Sequence, residues 1–251
     1  MKLLFLGVSN AFAVGTNQFQ SNMLLESDSG RKMLIDCGGD ARHSLHALGY
    51  SYQDIDAVYI SHLHADHIGG LEWLGFCKLF NCEEKPTLYI SNDQREALWT
   101  RCLSGGMSCL EEEPATLSHY FDAPNLENHH FVWENHRFQL IPAHHSMHNH
   151  HFLPCYGLFI EGTEKKAFIT TDARFKQEYF TKAYQEAHLI FQDCENLVAP
   201  SNQHAQYEEL KTLNPQIKNK MWLYDYQDGV LPDATKDGFK GFVTRGQSFN
   251  F

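Results

Sequence analysis

The chain alternates short apolar runs with polar breaks, and most of the runs have the length of strands. Lys2 to Val8, Asn22 to Glu26 and Lys32 to Asp36 are such runs, separated by Gly- and Asn-bearing stretches, which is the pattern of a β-meander. Ala41 to Leu48 carries helix-compatible spacing with Gly49 as a C-terminal stop. Ile55 to Ile60 then reads as a buried strand that ends directly on Ser61-His62-Leu63-His64-Ala65-Asp66-His67. Between Gly69 and Phe80, Leu71, Leu74 and Leu79 recur at helical spacing with Trp73 and Phe76, and Thr87 to Ile90 returns to strand.

Residues 92 to 130 break this rhythm. Cys102 to Met107 and Glu111 to Pro114 sustain no period, so the region reads as an insertion with short helices, of the kind that forms a lid. Strand-like runs resume at Phe138 to Pro142, Gly157 to Glu161, Lys166 to Asp172 and Leu189 to Asp193. A helix is expected over Gln206 to Leu213, and Lys220 to Tyr224 is the last strand. Two strand-rich halves with interleaved helices predict an α/β chain of two packed sheets with helices outside. At 251 residues and 43% hydrophobic content, one domain is expected.

Composition narrows the functional classes. The net charge of -11 repels polyanions and argues against a protein that clamps duplex nucleic acid. A small anion stays within reach, because bound divalent ions reverse the sign locally. No run approaches the roughly eighteen uninterrupted apolar residues of a membrane span. The N-terminal apolar run is too short for an export signal and reads as a first strand. Seven cysteines without a C-x-x-C pair suit reduced thiols, so a soluble, cytoplasmic protein with no membrane partner is expected. The 16 histidines cluster near acidic residues, and the chemistry is sought there.

In an extended strand end, residues two apart face the same side, so His62 and His64 can address one ion while Leu63 packs the other way. A turn immediately afterwards lets Asp66 and His67 converge on an adjacent point, and Gly69-Gly70 allows the chain to pass close behind. Imidazole with carboxylate is the ligand mixture of zinc and similar ions. A lone histidine is most often a surface or hydrogen-bonded residue. Four ligand-type residues within the six positions from 62 to 67 make the metal-site reading the stronger one.

The pattern His62-x-His64-x-Asp66-His67 resembles the signature of the metallo-β-lactamase fold superfamily. Further stations match in order: Gly7-Val8-Ser9-Asn10-Ala11, Leu34 to Gly38, Pro142-Ala143-His144-His145, Cys155-Tyr156-Gly157 and Thr170-Thr171-Asp172. The resemblance covers nearly the whole chain and implies a four-layer αββα sandwich with two divalent metal ions at one edge of the sheets. It assigns His62, His64 and a histidine of the 144/145 pair to the first ion, Asp66 and His67 to the second, and Asp172 as the bridge. His145 is preferred because relatives commonly show Pro-x-x-His. Where relatives end the strand corresponding to Met221 to Tyr224 with a histidine that completes the second site, this chain has Asp225, whose carboxylate takes that ligand position. Zinc is the expected metal, with manganese or iron as alternatives favoured by that carboxylate. His148, His150 and His151 read as a solvated loop.

Paired cations lower the pKa of a bridging water and polarise the group it attacks, so hydrolysis is the expected reaction. Asp66 is placed to orient that water or take its proton. His204, near a helix start, matches the histidine that assists the leaving group in phosphodiesterase members. Within the superfamily the chain is most similar to the ribonuclease Z and cyclic-nucleotide phosphodiesterase branch, including phage enzymes that destroy cyclic-nucleotide defence signals. The acidic net charge favours a small phosphodiester over RNA. By analogy, the insertion closes over the substrate, from a partner subunit of a homodimer. An RNA endonuclease, an ester, thioester or lactone hydrolase, and a metal-poor binding protein of the same fold are the alternatives.

Overall fold

The computed structural model describes residues 1–12, 18–82, 84–111, 113–197 and 199–251; Glu112, in the acidic stretch of the insertion, lies outside them. The first half supplies strands β1 (Lys2–Phe5), β2 (Met23–Glu26), β3 (Lys32–Ile35), β4 (Ala57–Ile60) and β5 (Thr87–Ile90). The second half supplies β8 (His130–Trp133), β9 (His136–Pro142), β12 (Tyr156–Glu161), β13 (Lys166–Ile169), β14 (Leu189–Asp193), β15 (Met221–Tyr224), β16 (Gly241–Phe242) and β17 (Ser248–Asn250). Two small hairpins complete the set: β6 (Cys109–Leu110) with β7 (Glu113–Pro114), and β10 (Met147–His148) with β11 (His151–Phe152).

One sheet runs β17-β1-β2-β3-β4-β5 and the other β16-β15-β14-β13-β12-β9-β8. Period-two alternation divides each strand between an inner and an outer face. Leu3, Phe5, Met33, Ile35 and Tyr59 of the first sheet meet Phe138, Leu140, Leu158, Ile169 and Phe191 of the second in one buried cluster. On the outer face of the first sheet, Leu34, Val58, Ile60 and Leu88 pack with α1 (Ala41–Ala47) and α3 (Leu71–Asn81) through Leu45, Leu71 and Leu74. On the outer face of the second, Phe168, Ile190 and Leu223 pack with α7 (Gln177–Glu186) and α8 (Tyr207–Leu210) through Phe180, Tyr184 and Leu210. The order is helix, sheet, sheet, helix, the four-layer αββα sandwich of the metallo-β-lactamase type.

The meander and most strand positions match the sequence pattern. The first strand stops at Phe5 rather than Val8 because the chain turns there, with Leu6 N and Gly7 N both donating to Asn22 O. The stretch after His64 is a short helix, α2 (Ala65–Ile68), rather than an open turn. The expected helix over Gln206 to Leu213 shrinks to α8, opened by a Gln206–Glu209 capping box. Elements without a counterpart in the sequence reading include β8, α7, β16, the β10–β11 hairpin and the C-terminal strand β17, which pairs antiparallel with β1. The insertion holds α4 (Asn92–Ala97), a π-helical turn over Leu98–Leu103, α5 (Ser104–Met107), the β6–β7 hairpin and α6 (Leu117–Tyr120).

Behind the histidine motif the backbones nearly touch. A Cβ added to Gly38 would lie 1.9 Å from Asp66 O, a backbone atom that cannot swing aside. Gly38→Ala is therefore expected to cost at least about 2 kcal/mol in denaturant titration, since overpacking against backbone has no cheap relief. Gly105, in α5, has nothing within 4 Å of an added Cβ. Gly105→Ala is expected to be neutral or stabilising by up to about 1 kcal/mol in the same measurement.

Candidate metal centre

The two parallel runs, β3-β4-β5 and β13-β14-β15-β16, carry their C-terminal ends to one edge of the sandwich. In open α/β sheets this is the edge where ligands bind. Asp36 follows β3, Ser61 to His67 follow β4, Asp172 follows β13, Asp193 ends β14 and Asp225 follows β15. His145 lies beyond β9, and His204 precedes α8. Asp36, Thr171 and Asp225 have φ of 61°, 53° and 64°. Such values are uncommon without glycine, and here they turn the chain sharply at three strand ends.

Each imidazole is oriented by the atom it does not present to the site. His67 Nδ1 donates to Asp36 Oδ2 at 2.8 Å, and His145 Nδ1 donates to Gln203 O at 2.8 Å. His62 Nδ1 sits 3.0 Å from Ser61 Oγ, whose own proton goes to Asp36 Oδ2 at 2.8 Å. The Nε2 lone pairs of His62, His67 and His145 therefore face inward, the arrangement by which partners behind a ligand fix its tautomer. Arg174 steadies the same wall, with Nε donating to His145 O at 2.6 Å and the guanidinium lying over the Phe152 ring.

The inward atoms form three groups that share Asp172: His62, His64 and His145; Asp66 and His67; His204 and Asp225. In the first, His64 Nδ1 is 3.0 Å from His62 Nε2 and 3.2 Å from His145 Nε2. Asp172 Oδ2 is 3.7 Å and 3.4 Å from the Nε2 atoms of His62 and His145. A tetrahedral ion with bonds of about 2.0–2.1 Å has ligand-to-ligand edges of roughly 3.4 Å. The separations fit such an ion. In the second group, His67 Nε2 is buried without a hydrogen bond, yet lies 3.2 Å from Asp66 Oδ2 and 3.4 Å from Asp172 Oδ2. A buried nitrogen facing two carboxylate oxygens suits a proton or a cation between them.

His204 is the third element. Its Nδ1 lies 3.0 Å from Asp193 Oδ2 and 3.5 Å from Asp225 Oδ2, and its Nε2 lies 4.0 Å from Asp172 Oδ2. Burial opposes its charging, but Asp172, Asp193 and Asp225 outweigh that and raise its pKa to about 10. Burial and the nearby Asp172 push Asp225 up to about 7, and burial pushes Asp193 up to about 6. Ser21 Oγ stands 2.7 Å from Asp225 Oδ1 and 3.0 Å from Ser9 O. One hydroxyl proton cannot satisfy both fully, so a protonated Asp225 is accommodated in the metal-free chain.

A cavity of about 490 Å³ opens beside the first group, with the motif and His145 on one side and residues 93–102 of the insertion and Leu153-Pro154 on the others. Gln94 ties these walls together, its Nε2 donating to Ser61 O at 3.2 Å and Pro154 O at 2.7 Å.

All seven candidate ligand positions lie in this cluster: His62, His64, Asp66, His67, His145, Asp172 and Asp225, with His204 beside them. Of the adjacent pair, His145 points inward, while His144 stacks on Phe152 and Tyr179, with ring centroids 3.9 Å and 4.2 Å away. His148, His150 and His151 sit exposed on the β10–β11 hairpin. Asp225 joins Asp172 and His204 but does not form one group with Asp66 and His67. Asp36 and Asp193, which hold His67 and His204, were not among the candidates. Their signal is an acid at the end of an apolar strand, as in Lys32 to Asp36 and Leu189 to Asp193.

Fold and site define a metallo-β-lactamase-fold protein with a His/Asp cluster able to hold metal ions. The chain belongs to the family described as Anti-Pycsar protein Apyc1, whose model matches residues 1–249. It is 34% identical to the Anti-Pycsar protein Apyc1 of Paenibacillus harenae over 236 residues, 92% of this chain and 91% of that one. It is 31% identical to the protein of that name in Bacillus phage 010DV004 over 260 residues, covering 99% and 98%. Among solved structures, the metallo-beta-lactamase fold protein YhfI from Bacillus subtilis superposes with a TM-score of 0.76 at 18% identity, covering 99% of each chain. Human tRNase Z, short form, superposes at 0.72 with 16% identity, covering 100% of this chain and 99% of that one.

In the metal-free protein the His204 ring is expected to titrate far above its usual range, and Asp193→Asn is expected to lower that value, as read by NMR of the ring protons. Because the folded value is raised, the ring's contribution to stability is complete below its ordinary value near 6.5 and is lost as the pH rises through about 10.

Proposed function

We propose that the protein is a phosphodiesterase that holds two divalent metal ions, zinc in the first instance, and opens a small cyclic nucleotide. The observation that carries this reading is His204: a part-buried ring, held by Asp193, whose Nε2 faces the same Asp172 oxygen as the three-histidine group and whose ring lies 4.9 Å from that of His145. When bound, two ions supply polarisation of the phosphoryl oxygens and a water of lowered pKa.

The chain's own residues supply the proton transfers. Asp66, whose Oδ2 lies 3.2 Å from His67 Nε2, takes the proton of the attacking water. As the water oxygen bonds to phosphorus, the bond to the leaving ribose oxygen breaks, and His204 Nε2 donates a proton to that oxygen. Asp193 keeps the other ring nitrogen occupied, so the proton to be delivered is the one facing the substrate.

The cavity beside the histidines is of a size for a nucleoside, and the insertion over 92–130 forms much of its wall. We read the insertion as the element that closes over the substrate, in a homodimer. With a net charge of -11, the surface disfavours RNA as the partner. The named members of the family carry an anti-Pycsar designation, and that role is part of the same reading for this chain.

The test is a panel of cyclic mononucleotides, precursor tRNA, lactones, thioesters and bis-p-nitrophenyl phosphate, assayed with the zinc-loaded protein. Cyclic mononucleotides and bis-p-nitrophenyl phosphate are expected to turn over, with His64→Ala and Asp172→Ala inactive. His204→Ala is expected to lower kcat by about 10²–10⁴ for cyclic nucleotides but much less for bis-p-nitrophenyl phosphate, whose leaving group needs no proton. Turnover of lactones or thioesters alone would sink the reading.

A further inference from the structure

We infer that the two metal positions differ in kind: the three-histidine group retains zinc, whereas the Asp66–His67–Asp172 group is an oxygen-rich, incompletely filled position that accepts a harder, water-retaining ion such as Mn²⁺. This rests on the two-ion reading proposed above and goes beyond it.

The donor sets are unlike. The first group offers three ring nitrogens and one carboxylate, a full tetrahedral set at separations of 3.0 to 3.7 Å. The second offers one nitrogen and two carboxylates. A fourth protein donor would have to come from Asp225, and that side chain is drawn elsewhere. Its Oδ1 is held by Ser21 Oγ at 2.7 Å, and its Oδ2 lies 3.5 Å from His204 Nδ1. A carboxylate is also shorter than an imidazole, so from this strand end it reaches less far toward Asp66 and His67. The buried Nε2 of His67, 3.2 Å and 3.4 Å from the Asp66 and Asp172 oxygens and without a hydrogen bond, is the nitrogen that an ion at this second group would take in place of a proton.

Ligand chemistry then separates the positions. Imidazole suits zinc, while carboxylate and water suit magnesium and manganese. Hard ions also keep several of their waters, which an incomplete protein shell permits. Zinc outcompetes manganese at any site of mixed nitrogen and oxygen ligands. The expected signature is therefore a difference in preference between the two positions of one molecule, not an absence of zinc. Asp225→His would add a nitrogen with longer reach and draw the second position toward the first.

The experiment equilibrates the intact protein with buffered Zn²⁺ and excess Mn²⁺, then reads each position by anomalous scattering at the two absorption edges and total content by mass spectrometry. The Mn:Zn ratio at the Asp66–His67 position is expected to exceed that at the His62–His64–His145 position by about tenfold or more. Asp225→His is expected to lower that ratio by a similar factor while leaving the first position unchanged. Equal ratios at the two positions of the unmodified protein would overturn the inference, whatever the variant does. An ion at the first position alone, or none at either, would instead overturn the two-ion reading beneath it.

Discussion

Asp36, Asp172, Asp193 and Asp225 are all at most 4% exposed and crowd the same edge of the sandwich. Burying one carboxylate is costly, and burying several together adds mutual repulsion. Among the described residues, the buried basic side chains at this edge are histidines, not lysines or arginines. Histidine can meet the demand in two ways. It can carry a proton, as the raised values of His67 and His204 indicate for the metal-free chain, or offer a lone pair to a cation. Proton and metal therefore compete for the same atoms, and metal affinity, pH and stability are linked.

The sheets make this crowding possible. Parallel strands buried on both faces deliver their C-terminal ends to one side, and the sharp left-handed turns after β3, β13 and β15 present polar groups there without lengthening the loops. Each of those acids leans on another element. Asp36 receives Ser61 N, Ser61 Oγ and His67 Nδ1, so the strand before the motif fixes the ring after it. Gln94 fastens the insertion to the same strand end. The insertion and the motif are thus mechanically one unit, although the sequence separates them by a helix and a strand.

Much of this is legible in the sequence, for definite reasons. The motif residues are neighbours in the chain, and strand alternation alone places His62 and His64 on one side. The buried strands announce themselves as unbroken apolar runs. What escapes is whatever depends on partners distant in sequence. β17 has little apolar character and exists because β1 offers it an edge. α7 has a clear apolar stripe of Phe180, Ala183 and Tyr184 only once the sheet beneath it is known. Asp193 looks like any acid after a strand until His204, eleven residues on, folds back on it. Asp225 was read from resemblance as a ligand of the second ion, and its bond to Ser21 was invisible because the two are 204 residues apart.

The same geometry divides the labour among chemically similar side chains. His62 and His145 are relieved of protons, since burial lowers both and their outer nitrogens are already occupied. His204, a few ångströms away, is held charged by three carboxylates. Around one oxygen of Asp172, lone pairs therefore stand beside a proton. A cation held by the lone pairs would stand beside the protonated ring without either group having to move. Such opposed environments, not the number of histidines, push the protonation of like side chains apart at this edge.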